Sequence, residues 1–190
     1  MRVIQIRGTS GSGKSTIVRK VMDLTGHWFA QYVDGRARPL YYRQAEGKQV
    51  ILGHYEIACG GCDTIGSARA VYELIGTILQ AEVILCEGLL LSEDVKWSSQ
   101  IADLRVLFLT TPLETCLKQI ESRRKSAGNE KPLDPAKTSN RVATIEQARL
   151  RLIEAGKTCY RSSPSQAPEL ILKWLRQGKP ISTYMSSAGI

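Results

Sequence analysis

Apolar positions along this chain recur in two rhythms that take turns. Val3, Ile4 and Ile6 within Arg2–Arg7, the run Val83–Cys86 ahead of Glu87-Gly88, and Arg105–Thr110 are short and largely β-branched, so they predict strands. Between them the spacing lengthens to every third or fourth residue. Ile17, Val18, Val21 and Met22 form one such stripe. Ala68, Val71, Tyr72, Ile75, Ile78 and Leu79 form a second, within Ser67–Gln80. Leu113, Cys116, Leu117 and Ile120 form a third, opened by Thr111-Pro-Leu-Glu114 as a capping box with proline at the first helical position. Stripes of this kind predict helices that bury one face. A helix over Arg141–Ala155 ending at Gly156, a strand at Thr158–Arg161 and a helix over Pro168–Arg176 complete the series.

Three stretches break the alternation. Trp28–Val33 predicts a second strand that ends at Asp34-Gly35, and positions 36–58 then read as an inserted β-hairpin, Leu40–Tyr42 against Gln49–Leu52. Positions 122–140 hold Gly128, Pro132, Pro135 and several charges with almost no apolar residue, which predicts a lid. Positions 178–190 form a tail without a clear pattern. Strand, helix, strand in repetition predicts one α/β domain over 1–190, a three-layer sandwich around a parallel five-stranded sheet.

Composition sharpens this picture in two respects. No apolar run approaches the length of a membrane span and no secretory signal opens the chain, while five cysteines, an odd number, predict reduced thiols in a cytoplasmic setting. The net charge of +8 is concentrated: Arg36–Lys48 carries +3 and Lys118–Arg151 carries +5. Both segments coincide with the hairpin and the lid, so a polyanionic partner is expected at these places. Cys59-Gly-Gly-Cys62 with His54 falls short of the four ligands of a structural zinc site.

The chemistry starts at Gly8-Thr9-Ser10-Gly11-Ser12-Gly13-Lys14-Ser15-Thr16, which matches G-x-x-x-x-G-K-[ST] between a strand and a helix. Glycines let the backbone wrap phosphates, and amides of the first helical turn point at them. Lys14 adds a mobile charge for the outer phosphates, and the Ser15 hydroxyl is a ligand for Mg²⁺. Glu87, ending a strand where open α/β sheets place ligands, is a second metal-ordering group or a base. Asp34 and Asp63 compete with it as the base, Asp63 slightly favoured because Gly60-Gly61 allows close backbone approach to a substrate; aspartate beside glycine also serves turns and caps. Arg123 and Arg124 end the helix before the lid and Arg141 follows it; one of the pair would stabilise transferred negative charge. Arg36 and Arg38 with Tyr41 and Tyr55 suit a stacked base and its backbone, although tyrosine is equally a strand residue.

On these residues the chain resembles the small P-loop kinases, the P-loop NTPase superfamily that includes nucleoside monophosphate, shikimate and polynucleotide kinases. GTSGSGKST, Cys86-Glu87-Gly88 and RVLFLTTPLETCLKQIESRR carry the likeness. LGHYEIACGGCDTIG, CEGLLLS and NEKPLDPAKTSNR resemble more narrowly the bacteriophage DNA 5-hydroxymethyluridine kinases. That resemblance implies ATP, Mg²⁺, a duplex DNA substrate, transfer to the hydroxymethyl group of the base, and action in a host cytoplasm. The hairpin stands where adenylate kinases carry a substrate helix, which argues against an ordinary nucleoside monophosphate. A small-metabolite kinase is the alternative. A GTP switch is disfavoured, because the guanine-binding motif is missing and Glu87-Gly88 replaces the usual D-x-x-G.

Overall fold

Alternation within each strand decides which helices it meets. The computed structural model describes residues 1–45, 47–57, 60–88, 94–129 and 132–177. In β1 (Arg2–Arg7), Val3 enters one apolar cluster while Ile4 and Ile6 enter another on the opposite face. The same split runs through β5 (Val83–Glu87) and β6 (Asp103–Leu109), whose side chains are nearly all buried. Burial on both faces is the mark of a central parallel strand. Helices α1 (Lys14–Thr25) and α6 (Ala167–Arg176) cover the Ile4 face through Ile17, Val18, Val21, Ile171 and Trp174. On the Val3 face, α2 (Ala68–Thr77) and α5 (Pro135–Glu154) contribute Val71, Ile75 and Leu152. The short α3 (Asp94–Ser98) and the longer α4 (Leu113–Ser126) close the set, and β7 (Thr158–Ser162) pairs parallel with β6. No helix among the described residues is long and apolar enough to cross a membrane.

Among the described residues the sheet has seven strands, not five, in the order β2 (Trp28–Gln31), β3 (Tyr41–Gln44), β4 (Gln49–Leu52), β5, β1, β6, β7. The extra strands come from the region read as an insertion. β3 (Tyr41–Gln44) and β4 (Gln49–Leu52) do form a hairpin, but β4 also pairs parallel with β5, with Gln49 opposite Val83. Val50, Ile51 and Leu52 are completely buried there, so the hairpin is part of the core rather than an appendage. The strand read as second, β2 (Trp28–Gln31), is shorter than expected and pairs antiparallel with β3 at the sheet edge. It therefore lies four strands from β1, about 19 Å across the sheet.

Helix boundaries moved for local reasons. Ser67 caps α2 by accepting from Ala70 N at 3.1 Å, and the helix stops at Thr77, which leaves Leu79 88% exposed instead of on the buried stripe. The expected capping box at Thr111 does not form; Pro112 occupies the cap and the Thr111 hydroxyl donates to Ser12 O at 2.8 Å. The lid at 122–140 shrinks to the connection between α4, which runs on to Ser126, and α5, which starts at Pro135. Asp134 accepts from Ala136 N and Lys137 N ahead of Pro135, a helix start that the low apolar content disguised. Glu46, Cys59, Glu130, Lys131 and the tail at 178–190 lie outside the described residues.

Candidate active site

Gly8–Ser15 leaves β1 and enters α1 through backbone conformations that side chains resist. Gly11 has φ +74°, and a Cβ there would stand 2.3 Å from Cys116 O of α4. Gly13 caps α1 at φ 93° with no side-chain acceptor, and the first turn of α1 holds no acidic residue. The helix start therefore offers its unpaired amides and positive dipole end to an anion. Lys14 is buried to 7% exposure, its Nζ donating to Gly8 O at 3.0 Å and Thr9 O at 3.2 Å. The ammonium is thus folded over the loop it must serve.

Opposite the loop stand two acids. Glu87, at the carboxyl end of β5, is 2% exposed and its Oε1 accepts from Ser15 Oγ at 2.6 Å. Burial pushes its carboxyl above the ordinary value; Lys14 and the Ser15 hydroxyl pull it down, and Asp63 pushes it further up. Asp63 sits in the 3₁₀ turn Cys62–Thr64, exposed on the cleft side. Two glycines interlock these acids. A Cβ on Gly61 would meet Glu87 Oε1 at 2.4 Å, and one on Gly88 would meet Asp63 Oδ1 at 2.9 Å. Gly61 also has φ +75°, so the Gly60-Gly61 pair lets the chain lie flat against the strand end. Gly61→Ala is expected to destabilise the fold by about 1–3 kcal/mol and to push Glu87 off Ser15. Thermal unfolding together with loss of nucleotide binding checks this.

One cleft of about 390 Å³ collects Ser10, Gly11, Gly13, Lys14, Ser15, Thr16, Asp63, Glu87 and Arg123. Gly60, of the glycine pair expected to approach a substrate, also lines it, while sequence reasoning missed Thr64 and Gln119. Gln119 lies one helical turn before Arg123, a spacing that could have signalled it. Arg124 goes elsewhere: its Nη1 donates to Pro132 O at 3.3 Å, and it lines a separate hollow with Glu121 and Lys125. Gly8, Thr9 and Ser12 form the back of the loop and line a third hollow with Thr111 and Ile145. Arg141 is exposed on α5 and Asp34 is exposed beyond β2; neither lines the cleft.

The tyrosines are corrected more sharply. Tyr55 is core, 6% exposed, with its Oη donating to Leu52 O at 3.2 Å and its amide donating to Tyr42 Oη at 3.3 Å. Tyr41 is half-buried under the Arg43 guanidinium, 5.9 Å from its ring centre. Neither ring is presented for stacking. Arg36 and Arg38 instead fold back over the carboxyl end of the sheet, Arg36 donating to Thr64 O at 3.0 Å and Arg38 lying 3.4 Å from His54 Nε2. Of the Cys59–Cys62 pair, Cys62 is buried beside Cys86, whose thiol and the burial itself hold Cys62 well above its usual range.

A buried polar network was also unforeseen. Arg7, the residue before Gly8, is 3% exposed and pairs with Asp94 of α3. It also donates to Gln5 Oε1 at 2.9 Å and to Ser98 Oγ at 3.4 Å. Tyr72 of α2 donates to Asp94 and accepts from Gln5 Nε2 at 2.7 Å. Charge removed from water on both sides holds the end of β1 against two helices, so the loop departs from a fixed point.

The elevated Glu87 carboxyl has a stability consequence with a definite sign. The folded protein holds this proton more tightly than the unfolded chain does, so ionised Glu87 costs stability at neutral pH; the cost fades as pH falls through the raised folded value and is gone below the ordinary value of 4.5. Glu87→Gln keeps an oxygen for Ser15 and removes the charge. It is expected to raise stability at pH 7 by about 0.5–2 kcal/mol while lowering turnover. Thermal melts from pH 4 to 8 should show the gain shrinking towards the acid end.

No family model matches the chain. Among curated proteins it is 40% identical over 172 residues to the 5-hmdU DNA kinase of Pseudomonas phage PaMx11, which covers 82% of this chain and 91% of that one. It is 29% identical over 170 residues to the 5-hmdU DNA kinase of Pseudomonas phage M6, covering 83% and 89%. The 5-hmdU DNA kinase of Delftia phage PhiW-14 is 25% identical over 174 residues, covering 81% and 65%.

Proposed function

The chain belongs to the 5-hmdU DNA kinase family, and from that premise we propose that it transfers the γ-phosphoryl group of ATP to the hydroxymethyl oxygen of 5-hydroxymethyluracil in DNA. What carries the reading is the convergence of Lys14, Ser15, Asp63, Glu87 and Arg123 on one cleft. The Gly8–Ser15 turn is its P-loop. First-turn amides of α1 grip the phosphates, and Lys14 exchanges its two loop carbonyls for β- and γ-phosphate oxygens.

Asp63 is assigned as the base, since Glu87 is occupied with Ser15 while Asp63 is exposed on the acceptor side. The acceptor oxygen forms a bond to the γ-phosphorus as the bond from that phosphorus to the β-bridging oxygen breaks. The hydroxyl proton passes to the Asp63 carboxylate and ADP leaves with the electron pair. Arg123 stabilises the equatorial oxygens in flight. Ser15 and Glu87, a hydroxyl and a carboxylate 2.6 Å apart, fit Mg²⁺, which takes few protein ligands and completes its shell with phosphate and water. When bound there it neutralises charge on the β- and γ-phosphates. The protein would act in the cytoplasm of an infected host.

The test is transfer of label from γ-labelled ATP into DNA containing 5-hydroxymethyluracil, with unmodified DNA and free 5-hydroxymethyldeoxyuridine in parallel. Label in the modified DNA is the expected result. Label confined to the free nucleoside would instead favour a small-molecule kinase.

A further inference from the structure

Three large apolar side chains stay in water on segments tied to the cleft walls: Tyr32 (59% exposed), Val33 (47%) and Ile57 (42%). They come from two segments that meet. Tyr32 and Val33 follow β2, and Tyr32 Oη donates to Glu56 Oε1 at 3.4 Å, next to Ile57. Arg19, one turn beyond Ser15 on α1, donates to Tyr55 O at 2.9 Å and to Ile57 O, which fixes the second segment against the phosphate end of the molecule. Three residues after Ile57, Gly60 lines the cleft itself. Arg36 reaches Thr64 O, and Thr64 also lines the cleft. Among the described residues no ion pair involves Arg19, Arg36 or Arg38; they donate to backbone carbonyls or lie against a histidine. An apolar crest and these arginines thus share the segments tied to the cleft walls.

The size of the cleft says what such a rim is for. At about 390 Å³ it is on the scale of one nucleotide-sized ligand, and the triphosphate takes the floor. A duplex is too wide to follow the hydroxymethyl group inside, so the base has to come out of the stack to deliver it. Enzymes that act on a base extrude it, and apolar side chains fill or pry the gap. Resting on the kinase reading above, we propose that the acceptor base is extruded from duplex DNA into the cleft. Tyr32, Val33 and Ile57 form the wedge that replaces it, and Arg36 and Arg38 hold the flanking phosphates.

The experiment compares the full-length protein with a Tyr32→Ser/Ile57→Ser variant. Both receive ATP and one 5-hydroxymethyluracil-containing sequence, offered as duplex and as single strand. A single strand needs no extrusion, so the variant should lose about 10-fold or more in kcat/KM on the duplex and far less on the single strand. 2-Aminopurine placed opposite the modified base should brighten with the wild type and not with the variant. These side chains are exposed, and Val33→Ser alone carries the same comparison should the double variant unfold. Equal loss on both substrates, no loss on the duplex, or no fluorescence rise with the wild type overturns the wedge and leaves the kinase reading standing. A wild type that labels neither DNA overturns that reading, and the wedge falls with it.

Discussion

Lys14→Ala is expected to reduce phosphoryl transfer by about 10²–10³-fold or more, the scale on which a single pre-set electrostatic contact to a transition state acts. Several observations place this among the largest effects of any single change. The ammonium is buried at the base of the cleft, and burial reduces the screening that would weaken it in water. Gly8 O and Thr9 O hold it in place before any ligand arrives, so little reorganisation is needed when phosphate oxygens replace them. Alanine is a good residue at the first position of a helix, so α1 should form as before. Single-turnover transfer and nucleotide titration measure the loss, and a thermal melt shows whether the fold is kept. Transfer within a factor of a few of wild type would mean that the loop amides suffice and that Lys14 serves only to close the empty loop.

Asp63→Asn is expected to lower kcat by about 10²–10⁴-fold with the KM for ATP nearly unchanged. Asparagine keeps the shape of the side chain against Gly88 and removes its ability to take a proton. Glu87 should then lose one of the influences that raise its carboxyl, so the variant is not expected to be less stable. Asp34→Asn is the control: that residue is exposed beyond the edge strand, and its loss should leave transfer near wild type. If Asp34→Asn is the damaging change and Asp63→Asn is benign, the loop after β2 must close over the cleft during turnover and supply the base.

The two aspartates show how far the residues alone can be read. Each follows a plausible strand or turn and each stands beside glycine; locally only the Gly60-Gly61 pair gives Asp63 a slight preference. What separates them is which strand pairs with β5. Had Trp28–Val33 taken that place, Asp34 would have ended beside Glu87; β4 takes it instead, through Val50, Ile51 and Leu52, and β2 is carried to the edge. Tyr55 makes the same point. Arginines near it suggested an exposed stacking ring, yet its ring lies in the core under α1. Tyr32 is among the exposed aromatics, at 59%, and no periodicity singled it out. Arg7 was invisible for a further reason: its partner Asp94 lies far along the chain, and a buried pair leaves no pattern in the spacing of apolar residues.

Contiguous residues alone determined the glycine turn Gly8–Ser15, the strands β1, β5 and β6 and the faces of α1 and most of α2. A phosphate cradle is made of consecutive amides, and an amphipathic element declares its face through its own spacing. Tertiary structure alone decided the sheet order, the choice of Arg123 over Arg124 for the cleft, and the exposure of Tyr32, and it settled that Asp63 and not Asp34 lines the cleft. Those outcomes depend on pairing and burial between distant segments, where the free energy belongs to the whole sheet rather than to any stretch of it.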